Sequence, residues 1–572
     1  MRTPALRKWL CLLTISLAVG CTPDKRQVND DPILRDMTMP PPPPPPPCME
    51  GRMRCNADKN GTERCEAGEW NPVEKCNTDG GDVCIEGACR TPCQQVTRGN
   101  VGCGFYPVNL WSTSKDGELG IVVTNTSDKL TAQVRLRDAS GNLVSCRDAK
   151  KTPLAKCEQT IPPGQGNPMG GLAVIRLDHE FNKLYETEQA KKGLYLESTA
   201  PVAVYQFHPI DAAQIFSGSA TLLLPEHVMA KSYFVMSYTY NQELITSPPQ
   251  GQGFVAVVGM ENDTVVEIKV PVATKGGAGV PALKAGETLR RVLQRLEVLE
   301  LIQVNSREDI SGATVKASKP VAVYGGAGGV SIPASAVGGN HLGVQMFPLE
   351  TWGKKYLAAK VKQRNASDKD YYRIVASVDN TRVTLRGSGS LPMSVPPLGK
   401  GQIFEFSTDS NFLIEADQPI LAFQYMPAWG NLSGTYDKTE FPDVSLRCPY
   451  LGSLDDVKCL GDANITPLIP VEQFRDDYIF YVPQTYTYDF VNIYAPLDAT
   501  LTLDGKPITT PPVKISDGPP AAFGRITLRI QQPGNHRITG NKPFGLIGYG
   551  YAYATSYSYA GGLNLDRINP IE

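Results

Sequence analysis

Histidine and tryptophan are scarce in this chain, with 5 of each among 572 residues. The histidines are His179, His208, His227, His341 and His536. None of them falls in an H-E-x-x-H motif or another close metal-ligand spacing, and no G-x-S-x-G stretch occurs. The sequence therefore predicts no catalytic residue, no cofactor and no metal site.

An excess of charge of either sign is also lacking, since 56 Lys and Arg stand against 58 Asp and Glu. The net charge of −2 excludes a polycation that binds nucleic acid through its whole surface. After the first twenty residues, no apolar run reaches the roughly 18 residues that a membrane-spanning helix needs. A hydrophobic fraction of 41%, with 53 Gly and 47 Pro, predicts folded domains rich in turns.

The first twenty residues have the features of an export signal. A basic start is followed by a short apolar run, Trp9 to Val19, and by the stretch LAVGC that ends at Cys21. This ending resembles the lipobox of bacterial lipoproteins, in which the cysteine thiol receives a diacylglycerol. The resemblance implies that Cys21 is lipidated and that the protein is anchored by lipid at the bacterial outer membrane or cell surface. The alternative is an ordinary secretory signal with a chance cysteine.

A proline-rich segment follows the proposed lipid site. Pro40 to Pro47 are eight consecutive prolines, which adopt polyproline II and span roughly 25 Å at about 3.1 Å per residue. We interpret residues 21–47 as a lipidated N-terminus and stiff tether. A proline-rich peptide ligand for another domain is the alternative.

Eight cysteines come next in a stretch with few aliphatic residues: Cys48, Cys55, Cys65, Cys76, Cys84, Cys89, Cys93 and Cys103. A chain that cannot build a core needs disulfides, and export permits them. Spacing does not choose among the 105 pairings, and a zinc site remains the competing interpretation. Two further pairs, Cys146 with Cys157 and Cys448 with Cys459, flank short polar loops and predict local disulfides.

The rest of the chain repeats three landmarks. An apolar strand starting at a proline occurs as PVAVYQF, PVAVYGG, PILAFQY and PFGLIGY, at Pro201, Pro320, Pro419 and Pro543. A second landmark occurs as PEHVMAKSYFV, PLETWGKKYLA and PVEQFRDDYIF, at Pro225, Pro348 and Pro470. The third is an apolar strand, a turn and an alternating strand, which predicts a hairpin; it begins at Glu118, Gly253, Tyr371 and Asp489. The sequence therefore predicts that the rest of the chain consists of four copies of one β unit.

The predicted fold class is all-β, with four tandem antiparallel β-sandwich-like repeats preceded by a small disulfide-rich module. A β-propeller built from the same repeats is the alternative. The predicted segments are the signal peptide 1–20, the tether 21–47, the cysteine module 48–93 and the repeats 94–224, 225–346, 347–468 and 469–572.

Two stretches within the repeats suggest binding. Gly325 to Gly329 resemble a phosphate loop but lack the Lys-Ser/Thr ending, so a flexible loop between strands is predicted. A run of tyrosines at alternate positions would project from one face of a strand and is a candidate ligand-contact strand; these are Tyr549, Tyr551, Tyr553, Tyr557 and Tyr559. The alternative is that these rings cover the last core.

The stretch GCGFYPVNLW from Gly102, the KPVAVY-type strands and FPLETWGKKY resemble the IgGFc-binding protein N-terminal domain family. The resemblance covers residues 102–561. It implies a secreted binding protein, and the animal members are named for binding the Fc part of immunoglobulin G. It places no binding residue in this sequence.

The leading functional hypothesis is a non-catalytic cell-surface lipoprotein that binds or adheres to a protein or glycan ligand. Its partners would be the membrane, through the lipid, and an extracellular ligand, but no nucleic acid. Several copies of one unit allow avidity from weak single contacts. The alternatives are a structural envelope scaffold and a carbohydrate-active enzyme.

Replacing Cys21 tests the anchor. We expect Cys21→Ser to move the protein from the detergent phase to the aqueous phase in a phase-partition assay, because the thiol that accepts the lipid is gone. Unchanged partition of the variant into detergent would contradict lipidation at this residue.

Overall fold

The computed structural model describes most of the chain. The described residues are 48–113, 117–164, 171–211, 217–240, 251–432, 436–437, 439–442, 459–516 and 522–569. They divide into two compact units, of which the smaller comprises residues 48–52 and 64–71 and the larger residues 53–63 and 72–569. The signal peptide, Cys21 and the proline tether lie outside the described residues, so those three assignments stay predictions.

The cysteine pairing is defined by the structure. In the smaller unit, a disulfide joins Cys48 to Cys65. In the larger unit, three more bridges join Cys55 to Cys84, Cys76 to Cys89 and Cys93 to Cys103. Because all eight sulfurs are used, the zinc interpretation of this module is wrong.

Strands account for half of the structure and helices for 4%. From Met53 to Arg90 the strands are β1 (Met53–Cys55), β2 (Gly61–Glu66), β3 (Glu69–Lys75), β4 (Val83–Ile85) and β5 (Ala88–Arg90). They are followed by β6 (Gly102–Phe105), β7 (Leu119–Asn125), β8 (Ala132–Arg137), β9 (Cys146–Arg147), β10 (Pro153–Leu154), β11 (Glu158–Ile161), β12 (Leu172–Leu177), β13 (Glu188–Ala190), β14 (Tyr195–Phe207) and β15 (Ala220–Leu223). Next come β16 (Ala230–Phe234), β17 (Gly253–Gly259), β18 (Thr264–Lys269), β19 (Thr288–Leu293), β20 (Val298–Ile302), β21 (Thr314–Val330) and β22 (Asn340–Gln345).

The second half of the chain continues in the same way. Its strands are β23 (Gly353–Ala358), β24 (Asp370–Ala376), β25 (Val383–Gly387), β26 (Ile403–Thr408), β27 (Phe412–Met426) and β28 (Asn464–Pro467), then β29 (Arg475–Val482), β30 (Tyr488–Pro496), β31 (Leu501–Leu503), β32 (Lys506–Pro507), β33 (Val513–Ser516), β34 (Phe523–Ile530), β35 (Gly534–Ala552) and β36 (Thr555–Ala560). The helical segments are α1 (Pro92–Gln95) and the 3-10 turns Thr78–Gly80, Glu226–Val228, Leu349–Thr351, Trp429–Asn431 and Val471–Gln473.

Four antiparallel sheets form the body of the larger unit, and each takes its strands from one predicted repeat, except that β13 of the first repeat joins the second sheet. The first contains β6–β12, β14 and β15, the second β13 and β16–β22, the third β23–β28 and the fourth β29–β36. The landmark at Pro225, Pro348 and Pro470 is a 3-10 turn that precedes the second, third and fourth sheets. The repeat pattern of the sequence is therefore visible in the fold.

One long strand organises each sheet: β14, β21, β27 or β35, with 13 to 19 residues. It pairs on one side with the apolar strand of the third landmark and on the other with the alternating strand that follows, as β21 does with β17 and β18. The same order recurs in the other three sheets. The hairpin prediction is wrong, because the long strand inserts between the two strands that the sequence places next to each other.

The landmark prolines also differ from the prediction, since they lie inside the long strands and not at their starts. In all four sheets, the residue after the proline pairs with the opening strand, β6, β16, β23 or β29. The next pair lies two residues further along the opening strand but five residues earlier in the long strand. In the second sheet, for example, Ala230 pairs with Val321 and Ser232 pairs with Lys316. A proline has no N–H to donate to a ladder, so it is accommodated in this bulge.

The bulge divides each long strand between two sets of partner strands, and in the fourth repeat these sets belong to two different layers. In β35, residues 534–540 pair with β29 and β31, whereas residues 545–552 pair with β30 and β36. A strand that bends and changes layer is how orthogonal sandwiches turn their corners. The sandwich-like prediction is confirmed, and the apolar faces of all four sandwiches join in one continuous core from Phe105 to Leu565.

The last strands of the four sheets, β15, β22, β28 and β36, contact one another in a closed cycle. Buried amides lie where they meet. The Asn340 side chain donates from Nδ2 to the carbonyls of Ala463 at 2.6 Å and Ser556 at 3.3 Å, and its Oδ1 accepts the N–H of Gly218. Asn464 Nδ2 donates to the carbonyls of Gly218 at 3.2 Å and Ser556 at 3.1 Å. These bonds join residues from all four repeats.

A segment near the C-terminus, Leu563–Asn569, contacts the residues that precede each sheet. Before the first sheet, Asn100 exchanges two hydrogen bonds with Leu563. Arg567 donates to the carbonyl of Met229 before the second sheet, and Asn569 donates to those of Leu349 and Glu350 before the third. Before the fourth sheet, the Gln473 side chain accepts the N–H of Asp566 and donates to its carbonyl. We call this segment the C-terminal lace.

Removing the lace is expected to destabilise the whole larger unit. A chain ending at Gly562 loses buried Leu563 and Leu565, at about 2 kcal/mol each, and several buried hydrogen bonds at about 1 kcal/mol each. We therefore expect the free energy of unfolding to fall by about 5 kcal/mol or more in denaturant titrations. A chain ending at Asn569, which keeps the lace, is the control; equal stability of the two would contradict a closing role.

Candidate functional site

The disulfide residues predicted in the body are partly described. Cys146 and Cys157 are joined as predicted, which closes the polar loop between β8 and β11. Cys459 is disulfide-bonded, and Cys448 lies outside the described residues.

The tyrosine run does not form a contact surface. Tyr549 and Tyr551 on β35 and Tyr557 and Tyr559 on β36 are at most 1% exposed, so the candidate ligand-contact strand is wrong for these four residues; Tyr553 is partly buried. Alternate positions on each strand do share a face, but Tyr557 and Tyr559 pair with Gly550 and Gly548, so they lie on the opposite face from Tyr549 and Tyr551, and both faces are buried.

Each of the four buried hydroxyl groups has a partner inside the protein. Tyr551 donates to the carbonyl of Lys362 at 2.8 Å, and Tyr549 accepts the backbone N–H of the same residue at 2.8 Å. Tyr559 donates to the carbonyl of Tyr481, and Tyr557 donates to Asp489 Oδ1 at 2.8 Å. Burial raises the pKa of Asp489 to about 8, although the Tyr557 hydrogen bond and nearby Arg529 oppose this shift.

Two of the scarce histidines meet in the core between the first and second sheets. The rings of His208 and His341 are 4.4 Å apart, and their nitrogens bond to Asn109 Oδ1 and Ser219 Oγ, both at 2.8 Å. Burial lowers the pKa of His341 to about 3, despite the carbonyl of Trp111, which favours its protonated form. Both rings are neutral structural elements at physiological pH.

The glycine run at 325–329 is part of strand β21, not a loop. A Cβ on Gly328 would lie 2.0 Å from the Trp111 ring, and Thr113 donates its backbone N–H to the Gly328 carbonyl at 2.9 Å. Glycine is required here because the segment between β6 and β7 packs directly on this strand.

Several clefts between neighbouring repeats are concave surfaces that could receive a ligand. One of about 330 Å³ lies between the first and fourth sheets and is lined by Asp128, Asp504, His536 and Arg537. Its charges are paired, since Arg537 bonds to Asp128 and Asp477, and His536 to Asp504 at 2.8 Å. A cleft of about 450 Å³ between the third and fourth repeats is lined by residues of both charge signs, including Lys362, Asp409 and Arg525.

A groove of about 650 Å³ between the second and third repeats differs from these two. Four exposed lysines line it: Lys231 on β16, Lys269 on β18, Lys316 on β21, and Lys400 in the turn before β26. No Asp or Glu lines it, and its lining also includes the apolar residues Pro271 and Leu349. We call this site the lysine groove. It is suited to hold an anionic ligand with apolar parts, by attraction and burial.

Little in the sequence indicates the lysine groove. Its lysines come from two repeats and are separated by up to about 170 positions, and none belongs to a motif. One position does point to the groove. Four residues before each landmark proline, only the second repeat has a lysine.

The described residues contain no cluster of three or more His, Cys, Asp or Glu close enough to hold a metal ion. Over the same residues, no helix has both the length and the apolar character needed to cross a membrane.

Comparisons with known proteins give one family. A family model described as IgGFc binding protein matches residues 219–550, which is more than half of the chain. The human IgGFc-binding protein is 28% identical over 231 residues, covering 40% of this chain and 4% of that protein's length. Among solved structures, the pilus adhesin SpaC from Lactobacillus rhamnosus GG is 9% identical and aligns over 78% of this chain and 56% of that chain, with a TM-score of 0.08. That value carries no argument about fold or function.

The buried carboxyl group of Asp489 predicts how stability changes with pH. With a pKa of about 8 in the folded state and 3.8 as its ordinary value, Asp489 keeps a proton that the unfolded chain has lost. Its contribution to stability is complete below pH 4 and is lost as pH rises towards 8, by about 1.4 kcal/mol per pH unit. We expect the melting temperature of Asp489→Asn relative to the parent to rise between pH 5 and pH 8. The exposed Asp58→Asn serves as control, and a pH-independent difference for Asp489→Asn would contradict the shift.

Proposed function

Because this chain belongs to the IgGFc-binding protein family, we propose that it is a non-catalytic binding module for an extracellular ligand. The observation that carries the proposal is the family match over residues 219–550. This range runs from the end of the first sheet into the long strand of the fourth, and the lysine groove lies entirely within it. Binding is thus proposed for the part of the fold that the family shares.

The arrangement of the repeats supports binding by surface clefts. The last strands contact one another in a cycle, and the four cores are continuous. The clefts between repeats are therefore bounded by sheets that are held in fixed positions, which lowers the entropy lost on binding. Preformed clefts of this kind are typical of ligand sites.

We further propose that the protein acts at the bacterial cell surface as a lipoprotein. The support is in the sequence: an export signal ending at Cys21, then a proline tether at 40–47 that would hold the folded body away from the membrane. A ligand in the surroundings would then reach the clefts without passing the membrane.

The ligand is proposed to be a protein or a glycan. The printed name of the human relative makes the Fc part of immunoglobulin G one protein to test. The aligned region is 4% of that relative, so Fc is included as one candidate among others.

The test is a binding screen with the full chain purified in detergent. We expect saturable binding to at least one extracellular protein or glycan on an array, with immobilised Fc compared with Fab as its matched control. Absence of saturable binding to every probe would overturn the proposal. Binding confined to cell-envelope polymers would replace it with a structural scaffold, and release of reducing sugar from polysaccharides would replace it with an enzyme.

A further inference from the structure

The four repeats can be compared at one position, four residues before the landmark proline on each long strand. The first and third repeats have Glu197 and Glu415 there, the fourth has Thr539, and the second has Lys316. The register is the same in every sheet, because this residue pairs with the opening strand just beyond the bulge. The second repeat therefore reverses the charge found in two of the others at an equivalent site.

In the first and third sheets, the glutamate neutralises cations on neighbouring strands. Glu197 forms an ion pair with Arg137 at 2.8 Å. Glu415 pairs with Lys355 on the opening strand at 3.3 Å and with Arg386 at 2.9 Å. These surfaces are consequently close to neutral.

In the second sheet, the charge on this surface is not neutralised. Lys316 lies opposite Ser232 on one side and Glu267 on the other. Glu267 forms its ion pair with Arg290, at 3.4 Å. Throughout the described residues, the ammonium groups of Lys231, Lys269, Lys316 and Lys400 take part in no ion pair.

An excess of like charge around a concave surface raises the local concentration of anions. The lysine groove has four such cations and no lining carboxylate, so an occupant with several negative charges would remove their mutual repulsion. Its apolar groups add area that a chain with some apolar side chains would bury.

The backbone beside the groove favours a polypeptide. Residues 231–234 of the opening strand β16 line the groove, and among the described strands β16 pairs only with β21, along one edge. β16 also contacts the 3-10 turn Leu349–Thr351 of the third repeat, but its other edge has no strand partner among the described residues. An unpaired strand edge can form main-chain hydrogen bonds with an extended peptide, which is the basis of strand-addition recognition. A polysaccharide has no backbone N–H groups in register with such an edge.

We propose that the lysine groove binds an acidic polypeptide segment through Lys231, Lys269, Lys316 and Lys400. This inference rests on the proposed binding function and names the chemical class of its ligand. The segment could belong to a larger protein partner, of which the groove would recognise the acidic stretch.

The test uses fluorescently labelled poly-L-glutamate and the full chain in detergent. We expect saturable binding that weakens as salt rises, because screening shortens the range of the lysine charges. Lys316→Glu should weaken binding about tenfold, since it turns one attraction into a repulsion and a tenfold change corresponds to about 1.4 kcal/mol. This variant introduces the residue that the first and third repeats already accommodate.

Two controls keep the result interpretable. Lys156→Glu changes the net charge equally at an exposed site outside the groove and should leave the affinity unchanged. Lys400→Glu tests the groove from the third repeat and should weaken binding in the same way. Circular dichroism shows which variants fold, so Lys400→Glu still tests the proposal if Lys316→Glu is unfolded. The inference would be overturned if both variants fold and bind poly-L-glutamate as tightly as the parent.

The remaining outcomes separate the two proposals. Binding of dextran sulfate but not poly-L-glutamate would overturn the polypeptide assignment in favour of an anionic glycan. A ligand from the array that binds the parent and both groove variants equally would refute this inference while leaving the binding function intact. Failure of every array probe, together with failure of poly-L-glutamate, would overturn both.

Discussion

A proline in the interior of each long strand is the constraint on which the rest of the structure depends. The strand must pair on both sides, yet the proline cannot donate a hydrogen bond. The same bulge resolves this conflict in all four sheets, and in the fourth repeat it turns the strand from one layer into the other.

The four repeats also depend on one another for their stability. Their last strands meet around the buried amides of Asn340 and Asn464, and their cores merge. A buried amide is stable only when its donors and acceptors are satisfied, and here the partners come from other repeats. The four copies are thus parts of one folded body, and the spaces between them are permanent clefts.

The sequence predicted those features that repeat along it. The recurrence of PVAVY-type strands indicated four β units, and the spacing of Cys146 and Cys157 indicated their bridge. Features that depend on distant pairing were not predictable: the strand after each apolar strand looked like a hairpin partner, but β21 separates β17 from β18. Alternation placed Tyr549 and Tyr551 on one face, but it does not say whether a face meets solvent or core. The lysine groove combines Lys316 with Lys400 of the next repeat, which no local pattern connects.

The C-terminal lace has a consequence for how the chain is made. Synthesis proceeds from the N-terminus, so Leu563–Asn569 leave the ribosome only after all four sheets have been synthesised. The residues that precede the four sheets can complete their hydrogen bonds only after that segment has been synthesised. A chain that stops or is cut before Leu563 lacks the element that bonds to the residues before each sheet. A chain that stops before the lace therefore leaves the residues before each sheet without these hydrogen bonds and open to proteolysis.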